Sequence, residues 1–222
     1  MDIGKNILSI KTNLPEGVKL VAVSKTKPKA DILAAYKTGH RIFGENKVQD
    51  LTKKYEELPK DIEWHFIGHP QSNKVKYIAH FISLIHGVDS LKLLKMINKE
   101  GKKNDRKIKC LLQFHIAEES TKFGLNVDEA REILDSEAYK NFTNIEIAGV
   151  MGMATYTDDK EQIRKEFKML YNIFTQLKNE YFADSKSFRE ISMGMSDDYP
   201  IALEEGSTMI RVGSNIFGAR NY

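Results

Sequence analysis

Short, β-branched apolar runs alternate with amphipathic stretches along the whole chain, and small or polar residues follow each run. Eight runs predict strands: VKLVAVSK (18–25), RIFGEN (41–46), WHFIG (64–68), ISLIHGV (82–88), IKCLLQFHI (108–116), IEIAGVMGM (145–153), REISMGM (189–195) and MIRVGSNIFG (209–218). Between them, apolar positions recur at helical spacing. KADILAAYKTG (29–39) closes on Gly39 as a helix C-cap, and NVDEAREILDSEAYK (126–140) opens on Asn126 or Asp128 as an N-cap. The segment 158–182 predicts the longest helix, with Ile163, Phe167, Leu170, Phe174 and Leu177 on one stripe.

This alternation implies parallel strands joined by right-handed crossovers, and runs that are apolar almost throughout suit strands covered on both faces. Eight of them suit an α/β fold, the closed (β/α)8 TIM barrel, with residues 1–222 as one domain. A doubly wound open sheet has the same alternation and stands as the alternative. In both, ligands are expected at the carboxyl ends of the strands.

The first strand end is Ser24–Lys25, with Pro28 stopping further pairing. A lysine one step beyond a barrel strand is partly desolvated, which favours the neutral amine that condenses with an aldehyde. Reaching out to solvent is the plainer role for it. The last two strand ends, SMGMS and RVGSN, supply Ser192, Gly194, Gly213 and Ser214 where barrels commonly hold phosphate; a tight connection is the plainer reading there. Taken together, an amine at one wall and an anion cradle at the other describe a phosphorylated aldehyde, and pyridoxal 5′-phosphate fits. Arg211 is expected to project inward, to the phosphate or to the ring nitrogen. Beside that nitrogen a guanidinium would keep it unprotonated and damp the reactivity of the ring.

Other residues are less informative. Glu45 and Asp198 are acidic candidates near the mouth, or equally paired surface groups. His65 and His86 lie in apolar runs and read as hydrogen-bonded core histidines. Met151, Met153, Met193 and Met195 read as core lining that would also floor a flat ring. No histidine pair has metal-ligand spacing near a cysteine or carboxylate cluster.

Composition narrows the classes. Of 222 residues, 41% are apolar and 29% charged, enough for a sizeable core. The net charge of +3 gives no electrostatic case for nucleic acid or an acidic membrane surface. The single cysteine, Cys110, reads as a small core residue and implies a reducing compartment. The polar N-terminus and the lack of a long apolar stretch make a soluble, cytoplasmic protein the expectation.

The stretches VAVSK, IFGEN, WHFIGHPQSNK, ESTKFGL, GVMGMAT and SMGMSDDYPIALEEGSTMIRVGSNIFGAR resemble, in order and over nearly the whole chain, the YggS/PROSC family of pyridoxal phosphate-binding, or pyridoxal phosphate homeostasis, proteins. The resemblance implies a barrel of the alanine-racemase N-terminal type, with pyridoxal phosphate bound as an aldimine to Lys25. It implies a phosphate loop at Ser192, Met193 and Gly194 with Gly213 and Ser214, an arginine facing the pyridine nitrogen at Arg211, and a pocket asparagine at Asn46. Lys122 lies in a family motif without an assigned role. Pro70 stands where the family usually has leucine, so a local change of loop entry is expected.

Two functions of different class follow. One is a carrier that buffers the cofactor and hands it to apo-enzymes without turnover, as a monomer. The other is a racemase or related enzyme. Alanine racemases draw a tyrosine acid/base from a second domain of the partner subunit, and two-base racemisation needs a donor on each cofactor face. The chain ends at Tyr222, a few residues after the eighth strand, so the carrier is the expected function; Tyr199 and Tyr156 have no placement that would replace that donor. A phosphosugar isomerase-like barrel ranks last, since it would leave Lys25 without an aldehyde.

Overall fold

A computed structural model of the chain describes residues 2–119 and 123–219. Eight parallel strands close into a barrel in chain order: β1 (Lys19–Val23), β2 (Ile42–Glu45), β3 (Glu63–Phe66), β4 (Leu84–Val88), β5 (Ile108–Gln113), β6 (Ile145–Met151), β7 (Glu190–Ser192) and β8 (Met209–Val212). Closure is made by β1 against β8, in register from Lys19↔Met209 to Ala22↔Val212. The open-sheet alternative is thereby excluded.

The helices are α1 (Ile3–Thr12), α2 (Lys29–Tyr36), α3 (Val48–Glu57), α4 (Leu91–Lys103), α5 (Val127–Asp135), α6 (Glu137–Lys140), α7 (Lys160–Tyr181), α8 (Tyr199–Glu204) and α9 (Ser214–Phe217); a 3-10 turn, Ser72–Tyr77, follows β3. Their starts follow local chemistry. Asn126 caps α5 in a reciprocal capping box with Glu129, and the Asp159 carboxylate accepts from the backbone N–H groups of Glu161 and Gln162. The α7 stripe buries Ile163, Phe167, Leu170 and Leu177 against the barrel. Pro70 is buried two residues before the 3-10 turn.

Most of the core lies between strands and helices. A smaller apolar cluster of Val21, Leu84, Leu111, Ala148, Met151 and Met209 comes from strands alone, as in a barrel whose interior is filled by inward-facing side chains. Cys110 is fully buried, and burial pushes its thiol well above the usual range.

The strands are shorter than their apolar runs. Residues 152–153 and 193–195 leave the sheet, and 214–217 is helix rather than the end of β8. Ile216 and Phe217 are buried on that helical turn. Burial, which the runs report, therefore outlasts strand pairing at the carboxyl ends.

Candidate functional site

The carboxyl end of β1 is braced from outside. Buried Lys54, on α3, donates to the Ser24 carbonyl at 2.8 Å and to Glu45 Oε1 at 2.6 Å, and the Ser24 hydroxyl donates to the same oxygen at 2.6 Å. Glu45 is completely buried and its Oε2 has no partner among the described residues; burial raises its carboxyl above the ordinary range, with Lys54 opposing. Glu45 and Asp198 are thus both buried rather than surface groups. Just past this brace the chain reverses at Thr26, a β-branched residue held at φ 65°. Lys25 and Lys27, on either side of that turn, line one cavity.

The cavity has a volume of about 310 Å³ and opens at the carboxyl ends of the strands. Asn46, Arg211, Gly213, Ser214, Ser196 and Asp197 also line it. Met153, Ile67 and Met195 add apolar surface, whereas Met151 and Met193 are core. Lys27 engages three carbonyls as an ammonium, those of Phe217 (3.0 Å), Gly218 (3.2 Å) and Ala219 (2.8 Å). Its three N–H bonds are thereby occupied with the end of α9.

Arg211 is buried in the wall, 4% exposed, with no carboxylate salt bridge among the described residues. One Nη1 donates to the Ser192 carbonyl at 2.8 Å and hydroxyl at 2.6 Å, and Nη2 donates to the Gly152 carbonyl at 3.0 Å. A guanidinium has five donors, so Nε–H and one Nη2–H take no partner from the described residues. Burial lowers the group to about 10, with the Asp198 charge opposing, so it stays cationic at neutral pH. Nearby, the Gly213 N–H donates to the Ser196 hydroxyl at 3.1 Å. The backbone N–H groups of Ser196, Asp197 and Ser214 have no partner among the described residues. The wall therefore presents amines and unpaired donors: a setting for a ligand with an anionic group and a carbonyl or ring acceptor.

Known proteins match this arrangement at the level of the whole chain. Residues 2–221 match the family model described as alanine racemase, N-terminal domain. The pyridoxal phosphate homeostasis protein of Aquifex aeolicus is 37% identical over 205 residues, covering 92% of this chain and 88% of that protein. The protein of the same name from Helicobacter pylori is 38% identical, covering 90% of this chain and 87% of that one. The chain belongs to the pyridoxal phosphate homeostasis protein family. The structure of PipY from Synechococcus elongatus with pyridoxal phosphate bound is 33% identical, with a TM-score of 0.88, covering 97% of this chain and all of that one. An alanine racemase from Clostridium difficile, 17% identical with a TM-score of 0.76, shares the barrel fold, and this chain covers 60% of it.

In this member of the pyridoxal phosphate homeostasis protein family, the expected residues fall into two groups. Lys25, Asn46, Arg211, Gly213 and Ser214 line the cavity. Ser192, Met193 and Gly194 lie behind it: Ser192 holds Arg211, the Met193 N–H bonds to the Met209 carbonyl, and Gly194, at φ 92°, gives its carbonyl to the Arg211 N–H. Lys122 lies outside the described residues. Ser196 and Lys27, which line the cavity, were not singled out by sequence reasoning, although SMGMS and SKTK carry both. Among the described residues no group of three or more His, Cys, Asp or Glu is placed to hold a metal, and no helix is long and apolar enough to cross a membrane.

Behind Arg211 a polar chain runs down the barrel: Ser192 Oγ to His86 Nδ1 at 3.0 Å, then His86 Nε2 to His65 Nδ1 at 3.1 Å. Burial holds His65 at about 3 and His86 well below the usual value, and it lowers His40 to about 4. All three are neutral in the fold. Between those values and about 6.5 the unfolded chain binds more protons than the native one, so stability falls as pH drops below about 6.5. Each histidine contributes about 1.4 kcal/mol per pH unit across that window. Glu45, whose carboxyl is raised, acts in the opposite direction. The midpoint of urea unfolding is expected to change little from pH 7.5 to about 6.5 and to fall steadily from there to pH 5; an unchanged midpoint at pH 5 would contradict the neutral, buried assignment.

Proposed function

We propose that this protein binds pyridoxal phosphate in the cavity at the carboxyl ends of β1, β2, β7 and β8 and serves its homeostasis, holding the cofactor as a Schiff base on Lys25 and passing it to apo-enzymes without turnover of its own. The observation that carries this reading is the juxtaposition, in one cavity, of Lys25, a buried Arg211, and the N–H groups of Ser196, Asp197 and Ser214, with two Arg211 donors and these three N–H groups taking no partner among the described residues. The residues fit the group. Backbone N–H donors and the Ser214 hydroxyl suit a phosphate, Arg211 suits the ring nitrogen, and Met153 and Ile67 suit the face of a ring. Asn46 would orient a ring substituent.

Bound pyridoxal phosphate would supply an electrophilic aldehyde and an electron-accepting ring. Arg211, which stays charged at neutral pH, would donate a hydrogen bond to a ring nitrogen without transferring the proton; its positive charge disfavours a second one there, and an uncharged ring is a weaker electron sink. Tyr156, the tyrosine that lines the cavity, is 86% exposed, a poor setting for a fixed proton donor on the second face. Both observations favour a carrier over a racemase. A monomeric, cytoplasmic protein is part of the same proposal.

The test is borohydride reduction of the protein after incubation with pyridoxal phosphate, followed by peptide mass mapping. One adduct per chain on Lys25 is expected. A protein that stays colourless and takes up no pyridoxal phosphate would overturn the reading.

A further inference from the structure

A second cavity, at the opposite mouth of the barrel, has a volume of about 620 Å³, within the range of small-molecule sites. It is walled by the first residues of β1, β2, β3, β4, β7 and β8 and the second residues of β5 and β6. Six cations line it: Lys19, Arg106, Lys107, Lys109, Lys186 and Arg189, against three carboxylates, Glu63, Glu146 and Glu190. For a chain of net charge +3, that is a marked concentration of positive charge.

Part of the set is committed to the fold. Glu190 pairs with Lys19, lies 3.5 Å from Arg189 and accepts from the Thr208 hydroxyl. Arg106 donates to the carbonyls of Ala79 (2.8 Å) and Ile82 (2.9 Å), and Lys109 stands 4.0 Å from Glu146. Lys107 and Lys186 make no ion pair among the described residues, and neither does Glu63.

The floor supplies the deciding observation. His65 lines the cavity yet is only 4% exposed. The direction of its ring protons follows from the other end of the polar chain. The buried Ser192 hydroxyl accepts from Arg211 Nη1, and His86 Nδ1 is the one acceptor the described residues offer for its own proton. His86 then carries its proton on Nε2 and donates to His65 Nδ1. His65 is left with its proton on Nε2, for which the described residues offer no acceptor. That N–H is a donor on the floor of a cavity whose wall carries six cations, a polarity that suits an anion.

We propose that the amino-terminal mouth of the barrel is a second ligand site, for a small molecule bearing two or more phosphate charges, bound by Lys107, Lys186 and Arg189 at the rim and by the His65 Nε2–H at the floor. The polar chain joins this site to Arg211, so whatever fills it touches the same hydrogen-bond line as the carboxyl-end cavity. The site itself does not depend on what that cavity holds.

The test is calorimetric titration of inorganic pyrophosphate into the full chain saturated with pyridoxal phosphate, beside a Lys107→Glu/Lys186→Glu double variant. Both lysines are exposed, so the fold is retained. Saturable binding at one site is expected, weakening with salt and at least tenfold weaker in the double variant. The ring Nε2–H resonance of His65 should shift on saturation. Should the chain take up no pyridoxal phosphate, the same comparison is made without it, because the double variant leaves the carboxyl end untouched. Equal affinity in both proteins, or no saturation and an unmoved His65 signal, would mean an adventitious ion only and overturn the proposal.

Discussion

Replacing Lys25 with alanine should abolish the borohydride-trapped adduct and, with it, the visible absorbance of a lysine-linked pyridoxal phosphate. Lys25 and Lys27 line the same cavity, two residues apart across the strained turn at Thr26. Lys27 is committed to the fold, giving its ammonium protons to three carbonyls at the end of α9. An ammonium so engaged presents no lone pair to an aldehyde. The remaining contacts to the cofactor in the variant would be Arg211 and the N–H groups of Ser196, Asp197 and Ser214. Charge-assisted hydrogen bonds of this kind persist without the covalent link, so binding should weaken tenfold or more, about 1.4 kcal/mol per factor of ten, without vanishing. Equilibrium dialysis and mass mapping of the reduced variant would read both effects. A full-stoichiometry adduct on Lys27 in the variant, or an unchanged affinity, would show that the assignment to Lys25 is wrong.

That Lys25 could be singled out from sequence follows from strand physics. A β-branched run sets the strand, the strand end sets the mouth, and the residue at the mouth is then a site candidate. The same logic reached Asn46 through the family resemblance, and Arg211, Gly213 and Ser214 from the last strand. It overran the strand ends because hydrophobicity records burial, and residues such as Met193, Ile216 and Phe217 are buried after leaving the sheet. The overrun hid the division of SMGMS into a supporting part, Ser192 to Gly194, and a lining part, Met195 and Ser196. Two further features had no local signal. Lys54 sits in the charged run TKKYEE, where a solvated role is the default, yet it is buried against Glu45. The His65–His86–Ser192–Arg211 chain joins residues 21, 106 and 19 positions apart; only barrel closure brings them together.

At the seam of β6 with its two neighbours the backbones approach through Gly149, and Gly149→Ala is expected to be the most damaging small substitution in the sheet. The pairing of β5 with β6 slips between Cys110↔Ile147 and Leu111↔Gly149, leaving Ala148 as an extra residue. Such a bulge bends the strand and needs an unusual backbone conformation, here Gly149 at φ 150°. On its other side Gly149 pairs with Glu190 of β7, and an added Cβ would stand 1.9 Å from the Glu190 carbonyl oxygen. That atom is backbone and cannot swing away, so β6 and β7 must separate. Strain at the dihedral costs about 1–3 kcal/mol, and overpacking costs about 1–3 kcal/mol more. Their sum is a large share of a typical stability of about 5–15 kcal/mol. For a chain of this size, a melting temperature lower by roughly 10–15 °C is expected, with Ser192, two residues beyond Glu190, loosened from Arg211. Gly213→Ala is the control. Its Cβ would meet Val23 at 3.4 Å, an ordinary contact, and its φ of −120° is open to any residue, so its melting temperature should stay within a few degrees of the wild type. If Gly149→Ala melted alongside Gly213→Ala, the close approach of Gly149 to the Glu190 carbonyl would not be what the β6–β7 pairing depends on.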